Sequence, residues 1–290
     1  MRHLYKILFL CALLLISGCS ARNDNNAQTL SSENTNYYSK VSGSLNDEVV
    51  KSNIMFYNKN YSTFLGIKYK EYNTYGSGFI YDEDINYYYV LTNYHVVTYN
   101  YSYNHNELYL EDYLGNRYEA DVLSSDINYD LAIVRFKKEN RLKVLKFGNN
   151  VEVRNSIKAL GNPDSIKNVI TSGQITCFSN INMNSNKSKV NFEVIVHSAK
   201  IDGGSSGGAL LNTNNEVIGI TFAGSFDKNG EFVNGYAISV EKIKEFINKW
   251  YINRYIFLYA RKKLMQSYNY NVIIFLGGSS GFWIIIKRII

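Results

Sequence analysis

A glycine- and serine-rich stretch holds the residues best suited to chemistry. It reads Ile201-Asp202-Gly203-Gly204-Ser205-Ser206-Gly207-Gly208-Ala209-Leu210-Leu211. A serine hydroxyl attacks a carbonyl only where the emerging oxyanion meets preset donors, and glycines let backbone N–H groups converge without a Cβ in the way. We therefore interpret Ser206 as a candidate nucleophile, with the N–H groups of Gly204 and Ser206 as its oxyanion hole.

The same composition also occurs in flexible linkers. A linker lies between polar, unstructured segments, whereas this stretch runs into a polar turn at 212–215 and the apolar run 217–220. That context is typical of two strands. Because Gly-x-Ser-x-Gly patterns are common by chance, the stretch alone leaves both interpretations open.

A serine nucleophile needs a general base and a carboxylate that holds the base in one tautomer. His95 follows the β-branched and aromatic run 90–94, and Asp130 opens the apolar run 131–136. The order of His95, Asp130 and Ser206 is that of chymotrypsin-type enzymes. The other candidates, His105 and His197, lie in no such motif and are interpreted as structural or surface residues.

Seven motifs follow one another along residues 75–247. Together they resemble, in order, the motifs of HtrA-type trypsin-like serine peptidases, and they are Gly76-Ser77-Gly78-Phe79-Ile80, Leu91-Thr92-Asn93-Tyr94-His95-Val96-Val97, Asp130-Leu131-Ala132, Gly161-Asn162-Pro163, Ser172-Gly173-Gln174-Ile175, Gly204-Ser205-Ser206-Gly207-Gly208 and Gly235-Tyr236-Ala237-Ile238. Seven ordered motifs are far more specific than any one of them.

The resemblance implies a role for each motif residue. His95 is the base, Asp130 orients it, Ser206 is the nucleophile, and the N–H groups of Gly204 and Ser206 bind the oxyanion. The chain departs from the family at Ser205, where Asn is usual. This departure is mild because the side chain at that position is not a triad member.

The resemblance also places a substrate pocket before the nucleophile. Lys200 and Ile201 lie near the back of the pocket for the side chain that precedes the scissile bond, and Thr221 is assigned to the same pocket. Ile201 narrows it and favours small or medium aliphatic side chains. If the ammonium of Lys200 points inward, acidic side chains gain a partner instead; the alternative is that it reaches solvent.

Two groups of strand patterns predict an all-β fold. Short Tyr-, Ile- and Val-rich runs broken by Asn, Asp and Gly fill residues 47–147 and begin again near residue 156. They favour two antiparallel barrels, and the resemblance implies two six-stranded β-barrels with the active site between them. Ser239 can cap a C-terminal helix over 240–250, whose apolar side chains recur at helical spacing and should pack on the second barrel. Residues 47–250 are thus predicted to be the peptidase domain.

The amino-terminal residues predict export. Arg2 and Lys6 precede the apolar run 7–16, so residues 1–18 are typical of a signal peptide. Ile16-Ser17-Gly18-Cys19 also resembles a bacterial lipoprotein cleavage box, which would make Cys19 a lipidated first residue; ordinary secretion is the alternative. Residues 19–46 are rich in Asn, Ser and Thr and predict a disordered tether.

The carboxy-terminal residues 251–290 form a basic, apolar tail. They hold six Lys or Arg, no acid, and the apolar run 272–286, which glycines and serines interrupt. As a helix, this run would span roughly 22 Å against a bilayer core of about 30 Å. A tail lying on or dipping into a membrane is therefore favoured over a spanning helix, and a tail without a role is the third alternative.

Charge and ligand patterns exclude other classes. The formal net charge is +6, but nine basic residues outside 23–250 account for more than all of it. The peptidase region is slightly acidic, so the basic ends fit anionic lipid better than nucleic acid. No cluster has metal-ligand spacing, no cofactor is predicted, and Cys177 is expected to be a small buried strand residue.

We interpret the chain as a serine endopeptidase of the cell envelope that acts on protein or peptide substrates, including unfolded ones. Quality control is a role that this activity would fit. The competing interpretation is a non-catalytic envelope lipoprotein that uses the same two barrels to bind a partner. No motif after the helix resembles a PDZ module, and the sequence leaves the oligomeric state open.

Overall fold

A computed structural model describes residues 47–149, 151–267, 270–275 and 283–288. The predicted signal peptide, Cys19 and the tether lie outside these residues.

The amino-terminal half forms one curled, antiparallel sheet of seven strands. Its order is β5-β4-β1-β2-β3-β7-β6. The strands are β1 (Asn53–Phe64), β2 (Ile67–Glu83), β3 (Tyr87–Thr92), β4 (His105–Glu111), β5 (Arg117–Glu119), β6 (Asp121–Asp126) and β7 (Leu131–Lys137).

This sheet corrects the prediction of a closed six-stranded first barrel. Ala120 separates the short strands β5 and β6, which raises the number to seven. β5 pairs with β4 and β6 pairs with β7. Since β5 and β6 are the two ends of the sheet and do not pair with each other, the sheet curls into a half-barrel without closing.

The second group of strands closes into the predicted six-stranded barrel. Its order is β10-β13-β12-β11-β8-β9. The strands are β8 (Ser156–Gly161), β9 (Val169–Asn180), β10 (Glu193–His197), β11 (Ala209–Leu211), β12 (Val217–Phe226) and β13 (Phe232–Ser239). All six are joined by antiparallel pairs.

Three apolar clusters form the core. One lies within the curled sheet around Phe56 and Val90, and one lies inside the closed barrel around Ile195 and Leu210. The third joins the two halves and includes Leu91 of the first half. Since burial of each such side chain contributes about 1.5–3 kcal/mol, the shared cluster holds the halves in a fixed relation.

Two helices complete the domain, α1 (Tyr94–Val97) and α2 (Val240–Ser267). α2 buries Ile243, Phe246 and Ile247 and packs on the second barrel as predicted. It also reaches the first half, because the Phe246 ring lies 5.9 Å from that of Tyr129. The predicted end at residue 250 is wrong: no Gly or Pro follows until residue 277, so no local signal stops the helix.

The tail adopts a different structure from the helix considered for 272–286. β14 (Tyr270–Phe275) pairs with β15 (Trp283–Arg288) as an antiparallel hairpin. The two apolar runs of the tail thus form paired strands rather than one helix. None of the described helices is long and apolar enough to cross a bilayer.

Cys177 lies on β9, as expected of a strand residue, but its predicted burial is wrong. Residues 176–178 are exposed in succession, on both faces of the strand. The alternation of buried and exposed side chains that holds near Ile175 therefore does not extend to Cys177.

Candidate active site

His95 lies on α1, the single helical turn that follows β3. Asn93, at the start of this turn, directs its side-chain amide to the backbone oxygen of Asp130 at 2.9 Å. At the other end, the buried Asn58 amide donates to the carbonyl oxygens of Val96 (3.0 Å) and Thr98 (3.1 Å). Hydrogen bonds to Asp130 at one end and from Asn58 at the other therefore fix the turn that carries His95.

Asp130 is fully buried and adopts a left-handed backbone conformation with φ of 51°. Such a conformation is strained for a residue with a side chain and persists where the surroundings impose it. Its carboxylate accepts the backbone N–H of His95 at 3.1 Å and faces ring Nδ1 at 2.9 Å. The structure thus brings together the predicted base and its predicted acid.

The contacts of the carboxylate select the tautomer of His95. An ionised carboxylate only accepts hydrogen bonds, so Nδ1 must carry the proton that lies between it and Asp130. In the neutral ring, Nε2 is then the unprotonated nitrogen. This is the state in which a histidine can take a proton from a hydroxyl.

Most backbone N–H and C=O groups of the loop 203–207 have hydrogen-bond partners. These partners lie in neighbouring segments of the second half or on β2 of the first half. The carbonyl of Gly203 accepts from Asp164 N–H (2.8 Å), that of Ser205 from Gly208 N–H (2.9 Å), and that of Ser206 from Ser77 N–H (2.7 Å). The N–H groups of Ser205 and Gly207 donate to Asp202 and Thr221.

Two donors of this loop remain, the N–H groups of Gly204 and Ser206. Neither meets an acceptor within the described residues. In a trans peptide the N–H points away from the C=O, so the Asp164 contact to the Gly203 carbonyl turns the Gly204 N–H to the opposite side. The two N–H groups predicted to bind an oxyanion are thus the two that the loop leaves available.

Gly204 is required for this loop conformation. Its φ is 95°, and an added Cβ would lie 2.5 Å from the carbonyl oxygen of Asn162. Both the positive φ and the close backbone approach exclude a side chain.

The Ser206 hydroxyl does not reach His95 in this structure. Its Oγ lies 3.4 Å from the carbonyl oxygen of Phe222, and no hydrogen bond to the His95 ring forms among the described residues. Catalytic hydrogen bonds are often long before substrate binds and tighten in the complex. A change of the Ser206 side-chain rotamer is therefore needed before proton transfer.

The three residues assigned to the substrate pocket line one small pocket, of about 10 Å³, which holds about one water molecule. Lys200, Ile201 and Thr221 share it with Ser205 and with a largely apolar wall. The wall is formed by Ala159, Leu160, Gly161, Pro163 and Val169, with Thr171 beside them. Ile201 and Thr221 are buried and Lys200 is half-buried.

The other histidines lie apart from this arrangement. His105 is exposed and its ring stacks on Tyr61 at 4.9 Å. His197 is fully buried on β10, and burial lowers its pKa to about 4 although the backbone of Ala199 opposes the shift. Among the described residues, no group of three or more His, Cys, Asp or Glu side chains is placed to hold a metal ion.

Comparison with known families fits this geometry. Residues 76–220, half of the chain, match the trypsin-like peptidase domain. The chain belongs to the trypsin-like peptidase family.

Relatives of this trypsin-like peptidase domain include three curated proteins. The chain is 34% identical over 179 residues to the "Probable serine protease do-like" of Buchnera aphidicola subsp. Acyrthosiphon pisum (strain APS), covering 61% of this chain and 35% of that protein. It is 34% identical over 147 residues to "Serine protease HTRA1" of Xenopus laevis, with coverage of 50% and 30%. It is 32% identical over 171 residues to the "Probable periplasmic serine endoprotease DegP-like" of Buchnera aphidicola subsp. Baizongia pistaciae (strain Bp), with coverage of 58% and 34%. The chain thus spans about a third of the length of these relatives.

A solved structure shares the trypsin-like fold. The inactive form of a serine-to-alanine mutant of Rv3671c from M. tuberculosis H37Rv superposes with a TM-score of 0.52 at 21% identity. The superposition covers 69% of this chain and 87% of that chain.

Sequence reasoning missed several polar residues that support the site of this trypsin-like peptidase. The side chains of Asn53, Ser77, Asn162 and Asn168 are all buried and hydrogen-bonded at the junction of the two halves. Ser77 and Asn162 lie in motifs that carry the family resemblance. Their presence there was the available signal, but the pattern did not reveal what they contact.

Proposed function

We propose that this chain is a serine endopeptidase that forms an acyl-enzyme on Ser206. The observation that carries the proposal is the pair of available N–H groups, of Gly204 and Ser206, which flank the predicted nucleophile. The Asp130 carboxylate and His95 supply the base in the required tautomer. Family membership and the serine protease relatives support the same reaction class.

The reaction follows from these groups. When the Ser206 hydroxyl turns toward Nε2 of His95, the ring takes its proton as Oγ attacks the scissile carbonyl. The negative charge on the carbonyl oxygen is stabilised by the two N–H groups, and loss of one such donor typically costs about 10²- to 10³-fold in kcat. His95 then protonates the leaving amine, and water hydrolyses the acyl-enzyme by the same steps in reverse order.

The substrates we propose are exported or envelope proteins in extended or unfolded form. We expect the proposed site, at the junction of the curled sheet and the closed barrel, to take an extended peptide segment rather than a folded domain. One relative is named a periplasmic endoprotease, and the signal-like residues 1–18 support an extracytoplasmic location for this chain as well. Quality control of envelope proteins is the role we assign to this activity.

Two adjacent serines allow a sharply controlled test of the mechanism. Ser206→Ala should abolish cleavage of a denatured protein and labelling by an active-site phosphonate, because it removes the nucleophile. Ser205→Ala removes a hydroxyl one residue away that only accepts the N–H of Asp202 at 3.1 Å, so most activity should remain. Sequencing the new peptide ends identifies the cleaved bonds.

Three outcomes would overturn the mechanism. The first is a Ser206→Ala chain that still cleaves. The second is loss of wild-type activity on chelation, and the third is a rate maximum below about pH 5. Absence of any cleavage by the wild-type chain would favour the partner-binding lipoprotein instead.

We propose further that a lipid on Cys19 anchors the peptidase to the membrane. Two acyl chains give stable binding on their own, whereas a single chain is marginal. Cys19→Ser should release the protein from membranes or block its maturation. Removal of residues 254–290 should leave most of it bound, because Ile247 is the last buried residue within 240–259, the part of α2 whose burial is described, and the body stays intact. A mature chain that carries no lipid, yet leaves the membrane fraction when the tail is removed, would assign the anchoring to the tail.

A further inference from the structure

We infer that Ser77 is a positioning residue for the oxyanion hole, acting across the junction of the two halves; the inference rests on the proposed peptidase function. Ser77 lies on β2 of the first sheet and is fully buried. Its hydroxyl donates to the carbonyl oxygen of Gly204 at 2.6 Å, although the two residues are 127 positions apart. Gly204 is the residue whose N–H is one of the two available oxyanion donors.

The direction of the Ser77 hydroxyl bond is determined by its other partners. The Oγ accepts the backbone N–H of Asn162 at 2.8 Å and its side-chain amide at 3.1 Å. A hydroxyl has one proton and two acceptor lone pairs. With both lone pairs occupied, the single proton of Ser77 can only go to the Gly204 carbonyl.

Backbone partners also fix the orientation of the Asn162 amide. Its Nδ2 donates to the carbonyl oxygen of Ile54 at 3.0 Å, and its Oδ1 accepts the backbone N–H of Asn168 at 3.1 Å. A carbonyl cannot donate and an amide N–H cannot accept, so a flipped Asn162 side chain would lose both bonds. The Asn53 amide adds a further donor to Oδ1 at 2.7 Å.

Ser77 holds the nucleophile loop at two points. Its own N–H donates to the carbonyl of Ser206 at 2.7 Å, while its hydroxyl holds that of Gly204. A Ser77→Ala substitution keeps the first bond and removes the second. The Gly204 carbonyl would then be buried without its donor, which is costly unless the peptide rotates toward another partner.

Rotation at Gly204 is the motion that the hydroxyl prevents. The peptide planes on both sides of the Gly204 Cα turn about bonds that a glycine leaves free of Cβ hindrance. The Gly204 carbonyl belongs to the 204–205 peptide plane, which lies between the Gly204 and Ser206 donors, so its rotation changes the direction of one donor relative to the other. The Ser77 hydroxyl therefore keeps the two donors aimed together at the position where the oxyanion develops.

Ser52 provides a matched control for the loss of a buried hydroxyl. It is fully buried in the same half of the chain, and its Oγ donates to the carbonyl of Val49 at the same distance, 2.6 Å. Ser52→Ala thus removes one buried hydroxyl-to-carbonyl hydrogen bond remote from the loop, whereas Ser77→Ala also removes the acceptor of two Asn162 donors. A purely structural role for Ser77 predicts that both alanine variants, once folded, keep the wild-type kcat and boronate affinity.

The test measures kcat and KM on a peptide substrate and the affinity for a peptide boronic acid, whose adduct with Ser206 places an oxygen in the oxyanion hole. In the full chain, Ser77→Ala should lower kcat and boronate affinity by about 10- to 100-fold with KM within about twofold, because only transition-state binding is lost. Ser52→Ala should keep the wild-type values. Ser77→Cys retains a weak donor, so its kcat and boronate affinity should lie between those of wild type and Ser77→Ala. It serves in place of Ser77→Ala if that variant does not fold.

Equal kcat and boronate affinity in the Ser77 and Ser52 variants, or an effect of Ser77→Ala on KM alone, would overturn the inference. That outcome is distinct from failure of the proposed function. The function fails if Ser206→Ala still turns over, whereas an inactive Ser206→Ala chain with a fully active Ser77→Ala chain removes only the role of Ser77.

Discussion

His95 contacts Asp130 twice, once through its backbone N–H and once through ring Nδ1. The first contact holds the main chain of α1 against the carboxylate, and the second sets the ring. A single buried acid therefore determines both the position and the tautomer of the proposed base. The role of Asp130 depends on its carboxylate oxygens, which accept hydrogen bonds and donate none.

Asp130→Asn should lower kcat by about 10⁴-fold while the fold is retained, because an amide that donates toward Nδ1 selects the wrong tautomer. Asn tolerates the left-handed conformation at this position. Asp126→Asn is the matched control: Asp126 pairs with Lys249 at 2.8 Å and should keep wild-type activity. Steady-state kinetics and circular dichroism check both variants, and equal kcat in the two would contradict the role of Asp130.

Ile201→Ala should broaden the substrate pocket. The proposed pocket is small and has a largely apolar wall, which favours a small or medium aliphatic side chain before the scissile bond. Loss of the Ile201 side chain should raise kcat/KM for Leu or Phe substrates relative to Ala or Val substrates by about 10-fold, the usual scale for methylene-sized changes. A peptide library measures this ratio. A wild-type preference for Glu or Asp that Lys200→Ala removes would instead give the ammonium the determining role.

Gly207→Ala should destabilise the protein by more than about 3 kcal/mol, because its φ is 88° and a Cβ would lie 2.0 Å from the carbonyl oxygen of Ser77. Gly203→Ala is the control within the same loop, since a Cβ there meets nothing within 4 Å. Urea unfolding should show a change of less than about 1 kcal/mol for the control. Similar losses in both variants would contradict the close approach of Gly207 to β2.

Stability should fall on acidification because His197 is buried. Its pKa is lowered to about 4 in the folded chain, against an ordinary value of about 6.5 in the unfolded chain. Between these values the unfolded state binds more protons, so the free energy of unfolding decreases as pH falls, by up to about 1.4 kcal/mol per unit. The contribution of neutral His197 to the free energy of unfolding is fully present above about pH 6.5 and is lost as the pH falls toward about 4.

Urea midpoints measured from pH 7 to pH 4.5 in wild type, His197→Phe and His105→Phe check this dependence. The slope should flatten in His197→Phe, which keeps a ring but cannot titrate. It should persist in His105→Phe, because that side chain is exposed. An unchanged slope in His197→Phe would rule out His197 as its source.

The candidate site residues could be proposed from the sequence because local motifs carry them. His95 ends one apolar run and Asp130 opens another, as residues at strand ends do, and Ser206 lies in the glycine-rich stretch before the apolar residues 209–211. The role inferred for Ser77 could not be found in this way. It depends on a contact over 127 positions and on two lone pairs being occupied by Asn162, which only the packed junction specifies.

Errors in the predicted fold have similar causes. The closed first barrel is what the family resemblance implies, but closure depends on whether β5 and β6 pair, which the alternation of side chains does not encode. The burial predicted for Cys177 assumed that β9 stays covered along its whole length. The helix was ended at a change of composition, although a change of composition is not a stop signal. The signal peptide and Cys19 remain predictions.

The helix α2 has a consequence for the order of events during synthesis. It follows both halves in the chain, yet it joins them, through Phe246 against Tyr129 and Lys249 against Asp126. A nascent chain that stops before Val240 holds the contacts of Ser77 to the loop 203–207 but lacks those of α2 to Tyr129 and Asp126. We therefore expect the two halves to reach their full stability against one another only after this helix has been made.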